Sequence, residues 1–175
     1  LATLQARGRI DASSFRLVLR AAVHEDHLAC LAHEHGVAEL VELAPPLPYR
    51  AALAEMLGAD ALLVLQATNC NDQVPAKLYE YLRARRPLLA LTDAAGDTAA
   101  LLSGCGIDTV APLDDAAAIA RELERFLALL AHGRAPLAPE ATVSACERGA
   151  RAAQLAGLLD EVTGARHALK SSNAP

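Results

Sequence analysis

The sequence contains no tryptophan, one methionine and only 3 % aromatic residues. Any core must therefore be aliphatic, built from small side chains that allow close packing. No apolar run approaches the ~18–20 residues needed to span a membrane as a helix. The longest candidates, 61–65, 88–91 and 126–131, are core-sized, and nothing reads as a signal peptide. There is no basic excess: the formal charge is −5, which argues against a general nucleic-acid binder. The four cysteines, Cys30, Cys70, Cys105 and Cys146, form no CxxC pair and read as reduced thiols in a non-secreted chain. There is no Asp-x-Asp, no Gly-x-Ser-x-Gly and no Ser/His/Asp arrangement. Gly-x-Gly occurs only as Gly104-Cys-Gly106, after a helical pattern rather than a strand, so it reads as a turn and not as a dinucleotide fingerprint.

What remains is a helix-rich aliphatic chain. Of 175 residues, 53 % are hydrophobic, and alanine and leucine together make roughly two-fifths of the total, well above ordinary usage. That much apolar surface excludes disorder. The length suits one domain with a real core, or one half of a larger protein. Leu1 opens the chain inside an apparent helix, from which we expect a piece lacking its natural N-terminal part.

Along the chain two kinds of apolar segment alternate. Short apolar runs at 15–19, 40–43, 61–65, 87–91 and 108–111 predict five strands, with 61–65 and 87–91 continuous enough to be buried on both faces. Between and after them, 24–35, 48–57, 75–85, 97–103, 114–131 and 143–162 predict helices. Proline at the first position and Gly58 just past the end frame the second of these. Ile119, Leu123, Phe126, Leu127 and Leu130 fall on one side of the long helix as core packing. Strands alternating with helices mean βαβ units, so the expected fold is α/β: a Rossmann-like open parallel sheet of about five strands flanked by helices. The expected domain covers residues 1–162, followed by a tail at 163–175.

In such a sheet, ligands bind outside the carboxyl ends of the strands. The longest loop at that edge is Gln66–Val74, polar throughout most of its length. The segment that follows, Asn71 to Leu82, is the most informative in the chain. Pro75 starts a helix whose first free N–H groups favour an anion. Lys77 sits in that first turn, where the helix dipole disfavours a cation unless an anion compensates. It is one of only two lysines in a chain that otherwise uses arginine, and a compact ammonium suits a phosphate. Glu80 is three residues on, along the same face. Lys77 and Glu80 read either as a surface ion pair or as a phosphate contact beside a carboxylate that accepts from two sugar hydroxyls. Leu78, Tyr81 and Leu82 face the core.

Val74-Pro-Ala-Lys-Leu-Tyr-Glu-Tyr-Leu82 followed by Arg86-Pro-Leu-Leu-Ala-Leu91 resembles the "vPaKlfEYlaagrPvLal" stretch of bacterial glycosyltransferases of the GT-B fold, in the family-four-like group. Weaker likeness extends over roughly residues 1–162: a first strand at 15–19, a turn at 41–49, a helix and strand at 49–65 and a closing helix near 148–156. The resemblance implies the C-terminal, donor-binding half of a two-domain enzyme that takes a sugar from a UDP- or GDP-sugar. The acceptor would be a saccharide or lipid, in surface polysaccharide synthesis. It further implies an N-terminal acceptor-binding partner domain, no prosthetic group, no metal, and a cytoplasmic location, peripheral to the inner membrane through the other half. The family's Glu-x7-Glu pair maps onto Asp72, one methylene shorter, and Glu80. Glu80 would bind ribose, Lys77 and the helix start at Pro75 the diphosphate, and Asp72 with Thr68, Asn69 and Asn71 would lie towards the sugar. Pro46 and Leu47, in the turn after the second strand, would lie near the base. Ala21-Ala22 stands where the family has a glycine turn, and its basic diphosphate residues have no counterpart here. A different class also fits: a non-catalytic nucleotide-binding or assembly module that kept the half-fold. An epimerase sharing the fold is a third.

Other clusters carry less. His24, His27, Cys30 and His33 are zinc-ligand types, but a three-residue step drifts around a helix and only adjacent members share a face. Asp93, Asp97 and Thr92 read as donor contacts or as caps for the helix near 97, and Asp114 and Asp115 as an N-cap pair. Arg83, Arg85 and Arg86 suit the negative end of a helix dipole.

Overall fold

The computed structural model describes residues 1–171, with side-chain surroundings through 164. Two compact units result, 1–137 and 138–175. The first unit runs α1 (Ala2–Ala6), β1 (Leu17–Arg20), α2 (Glu25–Glu34), β2 (Val41–Ala44), α3 (Tyr49–Gly58), β3 (Leu62–Leu65), α4 (Ala76–Ala84), β4 (Leu88–Leu91), α5 (Asp97–Gly104), β5 (Val110–Ala111) and α6 (Ala116–Ala131). Single turns of 3₁₀ helix at Ala38–Leu40 and Thr68–Cys70 lead into β2 and follow β3.

Every strand pairing is parallel, as βαβ units require. The five strands do not form one sheet, however. β1 pairs with β2, and β3-β4-β5 form a separate three-stranded sheet. The expectation of a single sheet of about five strands is corrected on this point. Apolar runs dictate strands, but ladders dictate sheets. The α2, α4 and α5 crossovers each return the chain beside the strand it left, whereas the α3 connection leaves β1 and β3 without a common ladder.

The same topology explains burial. β4 has neighbours on both sides and is buried at all four positions. β3 has one neighbour, and its last residue, Leu65, is 52 % exposed. The continuous apolar run at 61–65 thus forms an edge strand of its sheet, buried on one face at Leu62 and Val64 and partly covered on the other at Leu63, with Leu65 exposed at its end.

An aliphatic cluster joins both sheets of the first unit, while Leu62, Val64, Leu78, Leu82, Leu88 and Leu102 are buried outside it. Leu4 of α1 and Ile10 beyond it meet Leu40, Leu89 and Leu91 of β4, Ala111 of β5, and Leu123 and Phe126 of α6. Val41 of β2 and Leu63 of β3 pack against the same cluster, so both sheets contribute to it. Each fully buried leucine stabilises by about 1.5–3 kcal/mol relative to exposure. α6 presents the expected stripe, with Ile119, Leu127 and Leu130 partly buried around Leu123 and Phe126. Asp115 caps it by accepting from the Ala118 amide at 2.8 Å. Asp115 alone supplies this cap rather than an Asp114–Asp115 pair. Glu124 on the outer side pairs with Arg9 at 2.8 Å and tethers the segment after α1.

In the second unit the expected single helix over 143–162 is two, α7 (Glu140–Ala145) and α8 (Arg148–Ser171). Residues 163–171 continue α8, and the rest of the expected tail lies outside the described residues. Among the described residues no helix is long and apolar enough to cross a membrane.

Candidate functional site

The β3–α4 segment leaves the carboxyl end of an edge strand and is organised from beneath by one buried side chain. Gln66, 7 % exposed, extends β3 by one residue, its amide donating to Leu91 O at 3.0 Å. Its Nε2 donates to the carbonyls of Cys70 and Gln73, each at 2.8 Å. Its Oε1 accepts from the hydroxyl of Thr92, itself 1 % exposed, at 3.2 Å. These loop carbonyls join no ladder; each has one other, longer partner, the Gln73 amide on Cys70 O at 3.3 Å and the Thr98 hydroxyl on Gln73 O at 3.4 Å. Gln66 and Thr92 together tie the loop to the ends of both β3 and β4.

A second tie lies nearer the surface. Asn71 Nδ2 donates to Asp93 Oδ2 at 2.7 Å, and the Asp97 amide donates to Asn71 O at 2.8 Å. Asp93 Oδ1 also accepts from the Ala95 amide at 2.9 Å. These two bonds, the backbone one first, hold the Asp93 carboxyl below its ordinary value. Gly96, not an aspartate, is the N-cap residue of α5, and no side chain caps that helix. Glycine is needed there for approach rather than for φ: a Cβ would lie 3.1 Å from Asn71 Oδ1 and 3.4 Å from Asn71 Cα. The same Oδ1 is buried without a partner among the described residues. Asn71 is thus built into the loop's framework.

The remaining candidates of this segment are exposed except Pro75, which is half-buried. Thr68 and Asn69 lie on the 3₁₀ turn, and Asp72 follows Asn71. Pro75 is the N-cap residue of α4, one position before the helix proper. Leu78 N already bonds Pro75 O at 2.9 Å, so the amides of Ala76 and Lys77 open the helix, with no side-chain cap. Lys77 and Glu80 are both exposed. Neither forms an ion pair with the other, nor with another described residue. The surface-pair reading of these two is therefore not what the structure holds. Leu78 and Leu82 are buried beneath them. Tyr81 is half-buried, and that burial, with the neighbouring Glu80 charge second, pushes its hydroxyl above the ordinary tyrosine value.

Pro46 and Leu47 belong to the turn after β2, on the two-stranded sheet. They too are exposed. Beside them Arg20 donates to Pro45 O and pairs with Glu55 of α3. Among the described residues no hydrogen bond joins Pro46 or Leu47 to the β3–α4 segment. Ala21 and His24, in the turn after β1, both take left-handed backbone, at φ +52 and +63.

Along α2, no three metal-ligand side chains converge, and the same holds elsewhere among the described residues. A shallow hollow of about 240 Å³ lies between α2 and β2, lined by alanines with His33, Val41 and Leu43, away from the β3–α4 loop.

Two residues that organise the site, Gln66 and Gly96, carried no sequence signal as such. Gln66 reads as the first polar residue after a strand; only its burial reveals its role. Comparison with family models, with curated proteins and with solved structures finds no match.

Proposed function

We propose that this chain is the donor-binding half of a glycosyltransferase and binds a nucleotide-sugar at the carboxyl end of β3. The observation that carries the reading is the state of Lys77 and Glu80. Both are exposed in the first half of α4, and among the described residues neither is spent on an ion pair. In this reading the Lys77 ammonium and the first amides of α4 take the diphosphate. Glu80, three residues on, accepts from the ribose hydroxyls, and Asp72, Asn69 and Thr68 lie towards the sugar. Pro46 and Leu47 approach the base through backbone groups.

Sheet topology supports it. A doubly wound fold has the strand order 3-2-1-4-5-6 and binds nucleotides where that order reverses. The all-parallel orders β1-β2 and β3-β4-β5 are compatible with parts of that order, and Lys77 follows the carboxyl end of β3.

The chemistry is electrostatic. As the glycosyl bond breaks, charge builds on the β-phosphate and must meet fixed donors. A lysine and helix N-terminal amides provide them through charge-assisted bonds without a metal. An acceptor-binding half would complete the cleft, working in the cytoplasm or at the inner face of a membrane. These residues alone bind the donor without turning it over. Titration of the chain with UDP and with GDP, followed by amide shifts, tests the reading. Saturable shifts confined to residues 66–80 and to the turn at 45–49 are expected with one of them. No shift at millimolar nucleotide overturns it.

A further inference from the structure

We propose that Gln66 is a positioning residue: its carboxamide sets the path of the loop that carries Asn69, Asp72 and the start of α4, and thereby sets the loop's affinity for a nucleoside diphosphate. The affinity clause rests on the donor-site reading above; the positioning clause does not.

The geometry is restrictive. A carboxamide has two N–H donors and one carbonyl, and all three are engaged: the donors on Cys70 O and Gln73 O, each at 2.8 Å, and the carbonyl on Thr92 Oγ1 at 3.2 Å. The two accepting carbonyls are three residues apart and bracket Asn71 and Asp72. One side chain thus clamps both ends of the turn that presents them. Gln73 O, the second anchor, also accepts from Thr98 Oγ1 at 3.4 Å, and it stands two residues before Pro75, the N-cap residue of α4. A shift of Gln73 would carry the amides of Ala76 and Lys77 with it. The exposed residues of this segment, Ala67 to Asn69, Asp72 and Gln73, add little packing, so the buried polar clamp, together with the Asn71 tie, holds it. Such a network is rigid only while every member is satisfied. No other natural side chain offers this length with two donors and an acceptor. Glutamate keeps the shape but, ionised, donates nothing; methionine fills the volume and donates nothing at any pH.

The test compares the wild-type chain with Gln66→Glu and Gln66→Met. Amide hydrogen exchange is read at Cys70, Asn71 and Gln73, whose N–H groups are bonded within the loop. UDP and GDP titrations run in parallel. Both variants should speed exchange at these three amides by about tenfold or more, from the loss of two part-buried hydrogen bonds. Acidification should restore part of the protection in Gln66→Glu, because the protonated carboxyl regains one donor, and none in Gln66→Met. A general loss of packing would not respond to pH in this way. Exchange unchanged in Gln66→Met overturns the positioning role, as does a Gln66→Glu loop that ignores pH. If the wild type binds nucleotide and a loosened variant binds it equally well, the affinity clause fails. If the wild type binds neither nucleotide while the variants loosen the loop, the donor reading fails and the positioning role stands.

Discussion

Asn71 reaches across from the loop after β3 and donates to Asp93, in the loop after β4, at 2.7 Å. Two neighbouring crossover loops are thereby joined, by this bond and by that of the Asp97 amide to Asn71 O at 2.8 Å. The side-chain bond also helps hold the Asp93 carboxyl below its ordinary range, after the larger effect of the Ala95 amide. Because the folded value is depressed, the stabilisation is present above the unfolded value, about 3.9, and is lost as pH falls through the folded one. Asn71→Ala should raise the Asp93 pKa while leaving it below the ordinary value, since the Ala95 bond remains. Carboxyl-carbon NMR titration reads this directly.

Gly96 and Gly104 bracket α5 and should respond oppositely to alanine. At Gly96 a Cβ meets the Asn71 carboxamide at 3.1 Å, a side chain held by its bond to Asp93. Gly96→Ala should destabilise by about 1 kcal/mol or more. At Gly104 nothing lies within 4 Å. Gly104→Ala should stabilise by about 0.5 kcal/mol through helix propensity. Urea midpoints of the two variants test the pair.

Ala21 sits at φ +52, with its amide fixed on Ala44 O at 2.8 Å. An L-residue in this region is strained, and glycine is not. Ala21→Gly should raise stability by about 0.5–1 kcal/mol after the entropy of the unfolded glycine is offset. A lower denaturation midpoint would contradict this.

Tyr81 links the buried and exposed faces of α4. Its pKa is raised by burial first and by Glu80 second. Glu80→Gln should lower it, yet leave it above the ordinary value, because burial persists. A raised folded value means the associated stability is complete below about pH 10, the unfolded value, and is lost as pH rises through the folded one. Ring-resolved NMR titration distinguishes Tyr81 from Tyr49 and Tyr79.

These relationships also show what could be read from the sequence. All five strands of the first unit were legible because parallel strands are apolar runs between turn residues, and α6 because its stripe and Asp115 are local. The split into two sheets was not legible, since an apolar run does not reveal how many neighbours a strand has: Leu62–Leu65 and Leu88–Leu91 look alike in sequence, yet one is an edge and the other central. The break between α7 and α8 falls at Cys146 and Glu147, where neither proline nor glycine marks it. In the site, Lys77 stood out through rarity and placement. Gln66 did not, because a polar residue after a strand reads as loop until its burial is seen. The resemblance puts Asn71 towards the sugar, while its side-chain amide donates to Asp93.

The central claim is that Glu80 meets ribose, and a two-by-two binding cycle tests it most directly. UDP and 2′-deoxy-UDP are titrated against the wild-type chain and against Glu80→Ala, with the guanosine pair used if GDP is the better ligand. The account predicts that removing the 2′-hydroxyl weakens binding to the wild type by about tenfold, the equivalent of one charge-assisted hydrogen bond of about 1.4 kcal/mol. The same removal should cost nothing in Glu80→Ala. An equal penalty in both proteins, or none in the wild type, would contradict it.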